Sequence, residues 1–254
     1  MLLTLTVGML AQPLPTEILG VYKYQLEDQE GLSIISPTHF IWVIYDKNRV
    51  SNSKASMSLA DKVKAYSANN AAGGTHSYLG EKQVEFTFSI HSTPQNVGNS
   101  FVWTYEKKGD LLHFWILSED GSKGPLMKSK KIADWNAPGL CSDLNGTWTY
   151  EEWSGLYLQC GNYGVWTIHF QDLDQVTTDE EKAKAFDVFN GTAAIGDCKE
   201  GGKAFWNVIH AWQVQNEGQS IGTQSQNLKD KSKWFLLNAN GKEDGLSWHI
   251  TRTQ

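Results

Sequence analysis

The chain carries one sequence skeleton twice, and this duplication constrains the fold more than any other feature. The stretch 146–170 has the sequence GTWTYEEWSGLYLQCGNYGVWTIHF, and the stretch 20–45 repeats many of its glycine, aromatic and leucine positions. Gly20 and Tyr22 correspond to Gly146 and Trp148, and later positions correspond at slightly smaller offsets. A repeat of this length is about one small domain, so the sequence predicts a tandem duplication.

The two copies can be followed along the chain to their ends. We predict a signal-like segment or N-terminal arm at 1–13, a first domain at 14–133 and a second domain at 140–254. The segment 134–139 ends in the breakers Pro and Gly and belongs to neither copy, so it is predicted to be a linker. Each copy is expected to have its own core, with proteases cutting first in the exposed linker.

Each copy has the pattern of a series of short strands. From Gly20 onward polar and apolar residues alternate with period two, and turn residues separate about eight such runs per copy. One helix interrupts the runs, at 58–66 and again at 178–189, where Thr178 and Glu181 have capping-box spacing. The predicted fold class is all-β: two consecutive eight-stranded antiparallel up-and-down barrels, each with one short helix. A two-sheet sandwich is the alternative.

Composition restricts the classes of partner. The chain has 11 Trp, 9 Tyr and 10 Phe, and such side chains fill cores or line small-molecule cavities. A net charge of −6 and the scarcity of arginine, with only Arg49 and Arg252, argue against nucleic acid. The sequence contains no basic amphipathic run, so membrane insertion is not expected. The oligomeric state is left open.

The cysteines and the first residues bear on the cellular compartment. Cys141, Cys160 and Cys198 all lie in the second copy, and either two form a disulfide or all three are buried thiols. The start MLLTLTVGMLA resembles the h-region of a secretory signal, although no positive charge precedes it. We expect a secreted or periplasmic protein, with an apolar N-terminal arm and a cytoplasmic location as the alternative.

The second copy resembles lipocalins at its two ends. Gly146-Thr-Trp148 has their Gly-x-Trp pattern on the first strand, and Arg252 stands near the end of the last strand, where lipocalins have a closing Arg. The resemblance implies that Arg252 packs on Trp148 at one end of the barrel. The first copy departs from the pattern because Tyr22 replaces the Trp, so this packing is expected in the second copy alone.

The first copy is similar to bacterial lipocalin-like domains over the span 64–114. Their succession of a Gly-Thr element, a His with a following Pro, and a Gly is matched here by Gly74-Thr75, His91-Ser-Thr-Pro94 and Gly98, with a shortened spacing from His to Pro. The resemblance implies tandem lipocalin-like, or calycin-type, domains. Barrels of this size hold side chains or one small ligand.

Eight side chains are predicted to contact a ligand. The aromatic members occupy corresponding positions in the two copies, and the alternation with polar neighbours at His113 and Lys233 turns the adjacent rings inward. The two histidines also match between the copies and are either the polar contact of the ligand or caps of strand ends. The predicted set is Tyr24, Trp42, His91, Phe114, Tyr150, Trp166, His210 and Trp234.

No catalytic signature accompanies these residues. The chain has no G-x-S-x-G, P-loop or dinucleotide motif, and no set of three histidines repeats, so we predict no cofactor and no metal. The first hypothesis is a protein that binds a small hydrophobic or aromatic molecule. The alternative is a cofactor-independent enzyme of cyclase, isomerase or hydratase type, since some such enzymes have calycin-type barrels, with its catalytic residues unknown. A third hypothesis is a haem site with one axial histidine.

Overall fold

The computed structural model describes residues 12–50, 54–199, 202–212, 216–226, 230–238, 240 and 242–253. Within these ranges the chain forms two closed barrels of eight antiparallel strands each, and neighbouring strands in a barrel are consecutive in sequence. The predicted fold class of two up-and-down barrels is therefore confirmed. The predicted signal-like segment lies, up to residue 11, outside the described residues.

The first barrel is closed by pairing between its last and first strands, with Lys131 opposite Tyr22. Its strands are β1 (Gly20–Gln25), β2 (Gln29–Ile35), β3 (His39–Asp46), β4 (Asn69–Gly80), β5 (Gln83–His91), β6 (Ser100–Lys108), β7 (Leu111–Ile116) and β8 (Met127–Asp134). Because successive strands alternate in direction, the connections β1–β2, β3–β4, β5–β6 and β7–β8 share one end of the barrel. We call this end the helix end.

The second barrel repeats this arrangement and is closed by Arg252 opposite Trp148. Its strands are β9 (Gly146–Tyr150), β10 (Ser154–Cys160), β11 (Tyr163–His169), β12 (Phe189–Lys199), β13 (Lys203–Ala211), β14 (Ser220–Gln226), β15 (Lys231–Leu237) and β16 (Glu243–Arg252). The two barrels therefore have the same strand order and the same direction of each strand.

Each barrel has one α-helix between its third and fourth strands, as the sequence predicts. These helices are α1 (Leu59–Ser67) and α2 (Asp179–Val188). The predicted capping box of α2 is present, because the Thr178 side chain accepts from Glu181 N–H and the Glu181 carboxylate accepts from Thr178 N–H. Ser58 caps α1 in the same way. None of the helices in the described ranges is long and apolar enough to cross a membrane.

The two barrels share a hydrophobic core in addition to the core inside each barrel. Outward-facing residues of β2–β4 in the first barrel pack on those of β10–β12 in the second, and α1 packs on α2. Trp212 is buried here, and its carbonyl accepts a 3.0 Å hydrogen bond from the Asn69 amide. The Tyr45 hydroxyl donates to the carbonyl of Gly191. The expectation that each copy has only a core of its own is therefore incomplete.

Both barrels are closed in the same way at the end opposite the helices. The Tyr22 hydroxyl donates to Ile18 O at 2.9 Å, and Trp148 Nε1 donates to Leu144 O at 2.9 Å. Arg252 lies over the Trp148 ring, with its Cζ 4.4 Å from the ring centroid, as the lipocalin resemblance implies. Lys131 lies over the Tyr22 ring with its Nζ at 6.0 Å. Arg-on-Trp packing therefore occurs in the second copy alone, as expected, and the first copy has a lysine over a tyrosine ring in the corresponding place.

The cysteines resolve into one disulfide and one thiol. Cys141 and Cys198 are joined, which ties the chain before β9 to strand β12. Cys160 is free and buried, and burial raises the pKa of its thiol to about 11. At neutral pH this thiol is protonated and unreactive.

Candidate functional site

The interior of the first barrel contains a cavity of about 400 Å³. This volume is within the range of small-molecule sites, about 300–1,000 Å³. Tyr24, Trp42, His91 and Phe114 of the predicted set line it, so the structure brings these four side chains together. Most of the remaining lining is aromatic or aliphatic. The cavity is therefore a largely apolar chamber enclosed by strands.

A row of stacked rings forms one side of this cavity. Trp103 lies parallel to Phe114, with ring centroids 4.3 Å apart and planes inclined by 7°, and it also stacks on Trp42 at 5.8 Å. The Trp42 indole is fixed by a 2.8 Å hydrogen bond from Nε1 to Asn70 Oδ1. A flat surface of this kind favours a ligand with a planar apolar portion.

Trp103, the centre of that row, is not in the predicted set. The prediction selected aromatic positions that recur in both copies, whereas Thr223 occupies the corresponding place in the second barrel, as the pairing of β5 with β6 and of β13 with β14 indicates. The alternation of Phe101, Trp103 and Tyr105 along β6 carries the missing signal, because residues two apart on a strand share a face.

His91 is the imidazole that lines the first cavity. The Thr93 backbone N–H donates to His91 Nδ1 at 2.9 Å, and burial lowers the pKa of the imidazole to about 4. At neutral pH the ring is therefore neutral and its proton is on Nε2. His91 thus satisfies both of the alternatives drawn from sequence: it bonds the turn after its strand and it borders the cavity.

A small number of other polar groups border the first cavity. Burial raises the pKa of Tyr24 to about 12, so its hydroxyl stays protonated and able to donate a hydrogen bond. The side chains of Gln29, Ser33 and Ser129 contribute further donors and acceptors. These groups surround an otherwise apolar chamber, which is the usual composition of a ligand pocket.

The second barrel contains a smaller cavity of about 160 Å³. Tyr150, Trp166 and Trp234 of the predicted set line it. Further tryptophans, at 153, 206 and 248, also border it, and the sequence prediction did not include them. The two barrels therefore have the same strands but interiors of different size and composition.

His210 does not line either of these cavities. In both barrels the fourth and fifth strands pair so that His91 corresponds to Ala211, and Ile90 corresponds to His210. The sequence match placed the histidines one residue out of register, and a shift of one residue turns a strand side chain to the opposite face. His210 instead lies beside the first barrel, with its ring 6.4 Å from that of Tyr45.

Buried polar contacts join the barrels near these histidines. Arg49 forms an ion pair with Glu217 and lies over the Tyr45 ring, with its Cζ 4.2 Å from the centroid. His169 Nε2 lies 2.9 Å from the carbonyl of His91, next to the first cavity. No group of three or more His, Cys, Asp or Glu side chains in the described ranges is arranged to hold a metal ion.

Comparisons with solved structures give weak likenesses to proteins of unknown function. No family model and no curated protein sequence matches the chain. An uncharacterised Saccharomyces cerevisiae protein, YLR301w, is similar in structure, with a TM-score of 0.48, 12% identity, and coverage of 91% of this chain and 96% of the other. A Nostoc punctiforme PCC 73102 protein of unknown function from the DUF3598 family has a TM-score of 0.23, 9% identity, and coverage of 93% and 97%. Both likenesses are too weak to carry an argument.

Proposed function

We propose that the chain binds a small, largely apolar molecule inside the first of two lipocalin-like barrels. The observation that carries this proposal is the 400 Å³ cavity, which is enclosed by strands and lined by stacked aromatic rings. A barrel that needed only a core would fill this volume with side chains, because protein interiors are normally close-packed. The second barrel, with a cavity of about 160 Å³, is closer to that filled condition.

The lining also indicates the character of the ligand. The row of Trp42, Trp103 and Phe114 favours a planar apolar portion. The neutral imidazole of His91 and the protonated hydroxyl of Tyr24 favour a ligand with one or two hydrogen-bonding groups. Because no charged side chain lines the cavity, an anionic ligand would be desolvated without compensation.

Native mass spectrometry of the purified full chain tests the proposal directly. We expect a co-purified mass that is released by organic solvent. Where the purified chain is empty, the neutral fluorophore N-phenyl-1-naphthylamine serves as the probe, and we expect its binding to quench tryptophan emission. Absence of both a co-purified molecule and any quenching by apolar probes contradicts the proposal.

Matched variants locate the probe. Ser129→Ile gives the first barrel the residue that occupies the corresponding position of the second barrel, Ile250, and is expected to weaken binding at least tenfold by filling the cavity. Trp42→Phe is expected to weaken it several-fold, while Trp166→Phe, its counterpart in the second barrel, leaves it unchanged. If the two Trp→Phe variants weaken probe binding equally, the probe does not bind in the first cavity alone and the assignment of the site is wrong.

The position of His91 supports catalysis as a second candidate function. A neutral imidazole with its proton on Nε2 at the edge of an apolar cavity is a group that can transfer a proton to or from a bound substrate. Mass spectrometry of the ligand before and after incubation distinguishes the two functions, because turnover changes its mass or structure whereas binding does not. His91→Gln would then abolish turnover and retain binding.

The disulfide supports a location outside the cytosol. Cys141 and Cys198 are joined in the second barrel, and such bonds persist mainly in oxidising compartments. We therefore propose a secreted or periplasmic protein. Thiol labelling of the chain in its own cells checks this: one reactive thiol after denaturation is expected, and three would contradict it.

A further inference from the structure

The cavity of the second barrel differs in chemistry from that of the first. Five tryptophans border its 160 Å³, at positions 153, 166, 206, 234 and 248, together with Tyr150 and Tyr157. The oxygens of the other polar side chains in its lining accept hydrogen bonds: Asn190 from Thr192 at 2.9 Å, and Thr223 from Trp206 Nε1 at 2.9 Å. The buried Trp234 Nε1 has no hydrogen-bond partner within the described residues. The aromatic rings are therefore the main groups presented to an occupant.

Comparison of corresponding positions shows how the linings of the two cavities differ. Strand pairing matches Phe86, Phe114 and Met127 of the first cavity with three tryptophans of the second. In chain order these are Trp206, Trp234 and Trp248. No Lys, Arg or His lines the second cavity. Since Trp is the aromatic side chain that attracts cations most strongly, the second interior is richer than the first in rings that suit a positive group.

The arrangement of the rings favours a compact occupant over a flat one. Trp166 and Trp206 are inclined by 75° at a centroid distance of 6.2 Å, and Tyr157 is inclined to each by 64° and 86°. At the entrance, Trp153 and Trp248 are inclined by 42°. Trp234 is inclined by only 25° to Trp206, but Tyr157 is inclined by 70° to Trp234, so rings stand on several sides of the space. In the first cavity the row of Trp42, Trp103 and Phe114 is closer to parallel. A volume of 160 Å³ is suited to a rounded group of a few carbon atoms.

The entrance is open and bordered by carboxylates. Phe170 and Leu246 line the cavity and are each 48% exposed. A polar depression that shares Trp153 and Phe170 with the cavity contains Glu151, Glu152 and Asp172. Lys231 pairs with Glu151 and His249 contacts Glu152, whereas Asp172 forms no ion pair with Lys or Arg within the described residues and accepts from the Ser154 hydroxyl at 2.9 Å. This border attracts cations and repels anions.

We propose that the second barrel binds a compact alkylammonium group, such as the trimethylammonium end of choline, in a cage of tryptophan rings. A quaternary ammonium has no N–H groups to satisfy and is recognised by aromatic faces, so an interior lined mainly by aromatic rings suits it. The acidic border supplies the long-range attraction that draws the cation to the entrance. This site is separate from the cavity of the first barrel and does not depend on the ligand proposed there.

A pair of isosteric probes tests the proposal on the full chain. Choline and 3,3-dimethylbutan-1-ol have the same shape, but the alcohol has a carbon atom where choline has its charged nitrogen. In calorimetric titrations we expect choline to bind about tenfold or more tightly than the alcohol. Equal or tighter binding of the alcohol, or no binding of either, overturns the proposal. Choline is also expected not to displace N-phenyl-1-naphthylamine, which separates this result from the function of the first barrel.

Two substitutions test which tryptophan rings contact the ammonium group. Trp234→Phe and Trp248→Met install the residues of the corresponding positions in the first barrel, types that this fold already accommodates there. The double variant is expected to bind choline at least tenfold more weakly than the wild-type chain, while its affinity for the alcohol changes much less. Trp42→Phe, in the first barrel, is the matched control and leaves choline binding unchanged. Unaltered choline affinity in the double variant overturns the assignment of the cage.

Discussion

Arg252 and Lys131 perform the same structural task in the two barrels. Each lies over the aromatic ring of its first strand, and each donates to a carbonyl of the turn before that strand: Arg252 Nη2 to Asp143 O at 2.8 Å, and Lys131 Nζ to Glu17 O at 3.2 Å. The guanidinium is closer to its ring than the ammonium, at 4.4 Å against 6.0 Å. The second barrel therefore has the stronger closure.

Arg252→Ala is expected to destabilise the chain by about 1 kcal/mol, which is the usual magnitude of a cation–aromatic contact. Lys131→Ala is expected to lower the free energy of unfolding by less, because the Lys131 ammonium lies farther from its ring. Arg252→Lys should be less destabilising than Arg252→Ala. Thermal unfolding measures all three. Binding of N-phenyl-1-naphthylamine should be unchanged in each, and lost binding without lost stability would make Arg252 a ligand contact instead.

Buried histidines should make the stability depend on pH. Burial lowers the pKa of His76, His91 and His210 to about 4 in the folded chain, whereas an unfolded histidine titrates near 6.5. Between these values the unfolded state binds more protons, so stability is full above pH 6.5 and falls as the pH drops towards 4. Each group contributes up to about 3 kcal/mol. Glu217 acts in the opposite direction, because burial raises its pKa.

Urea unfolding at pH 7.5, 6 and 5 measures this dependence. The urea midpoint is expected to decrease over the series, and His210→Gln should make the decrease smaller, since one of the buried histidines that cause it is removed. A midpoint that is constant from pH 7.5 to 5 contradicts the assignment.

At the residue scale, sequence reasoning succeeded where both copies carry an aromatic side chain. Seven of the eight predicted residues line a cavity, and six of them are aromatic side chains at matching strand positions, where two copies give the same face signal. His91 lines the first cavity although its match with His210 is out of register. His210 was misplaced because matching the Ile-His pairs of the two copies shifts the register of β13 by one residue. At low similarity only the strand pairing fixes such a register. These seven side chains border two cavities, four in the first barrel and three in the second, and ligand binding in the first cavity is the proposal made above.

At the element scale, the helices show which contacts local sequence determines. The capping spacing of Thr178 and Glu181 predicts where α2 begins, since it depends only on residues within one turn. The packing of α1 on α2 was not predicted, although it includes a 2.7 Å bond from Lys62 Nζ to the Asp187 carboxylate. That contact exists only after the two barrels have docked.

Thr178→Ala should destabilise the chain by about 1 kcal/mol, because the first turn of α2 loses its side-chain acceptor. Thr178→Ser keeps the hydroxyl and is expected to be close to neutral. Ser58→Ala removes the corresponding cap of α1 and should have a similar cost. Urea unfolding followed by circular dichroism measures these changes, and a neutral Thr178→Ala would mean that the cap has no effect on stability.

At the scale of the whole molecule, the two copies pack like the subunits of a symmetric dimer. Corresponding elements contact each other, α1 with α2 and β3 with β11, and Ala71 meets its counterpart Gly191. Such an interface is isologous, the kind that a two-fold axis generates. A signal for it was present in the sequence, because the continuous apolar run of β3 is typical of a strand buried on both faces. The fold predictions used the alternating strands and did not use this run.

The shared core predicts that the barrels unfold together. Calorimetry of the wild-type chain should show one transition, and limited proteolysis should begin between residues 131 and 140 only when the barrels separate. Gly191 offers the sharpest perturbation, because a Cβ there would lie 2.7 Å from the Ala71 Cβ and 3.2 Å from Val43 Cγ1. Gly191→Val must therefore displace one barrel from the other.

We expect Gly191→Val to cost about 1–3 kcal/mol, the range for an overpacked core, and to speed cleavage in 131–140. Gly73→Ala is the comparison, since the closest atom to its added Cβ is the end of the Leu156 side chain, at 2.7 Å, and the Phe40 backbone oxygen lies at 3.1 Å, so the smaller change should cost less. Two separate transitions in the wild-type chain would mean that each barrel is stable alone. In that case the contact between Tyr45 and Gly191 would hold two independent domains together without contributing to the stability of either.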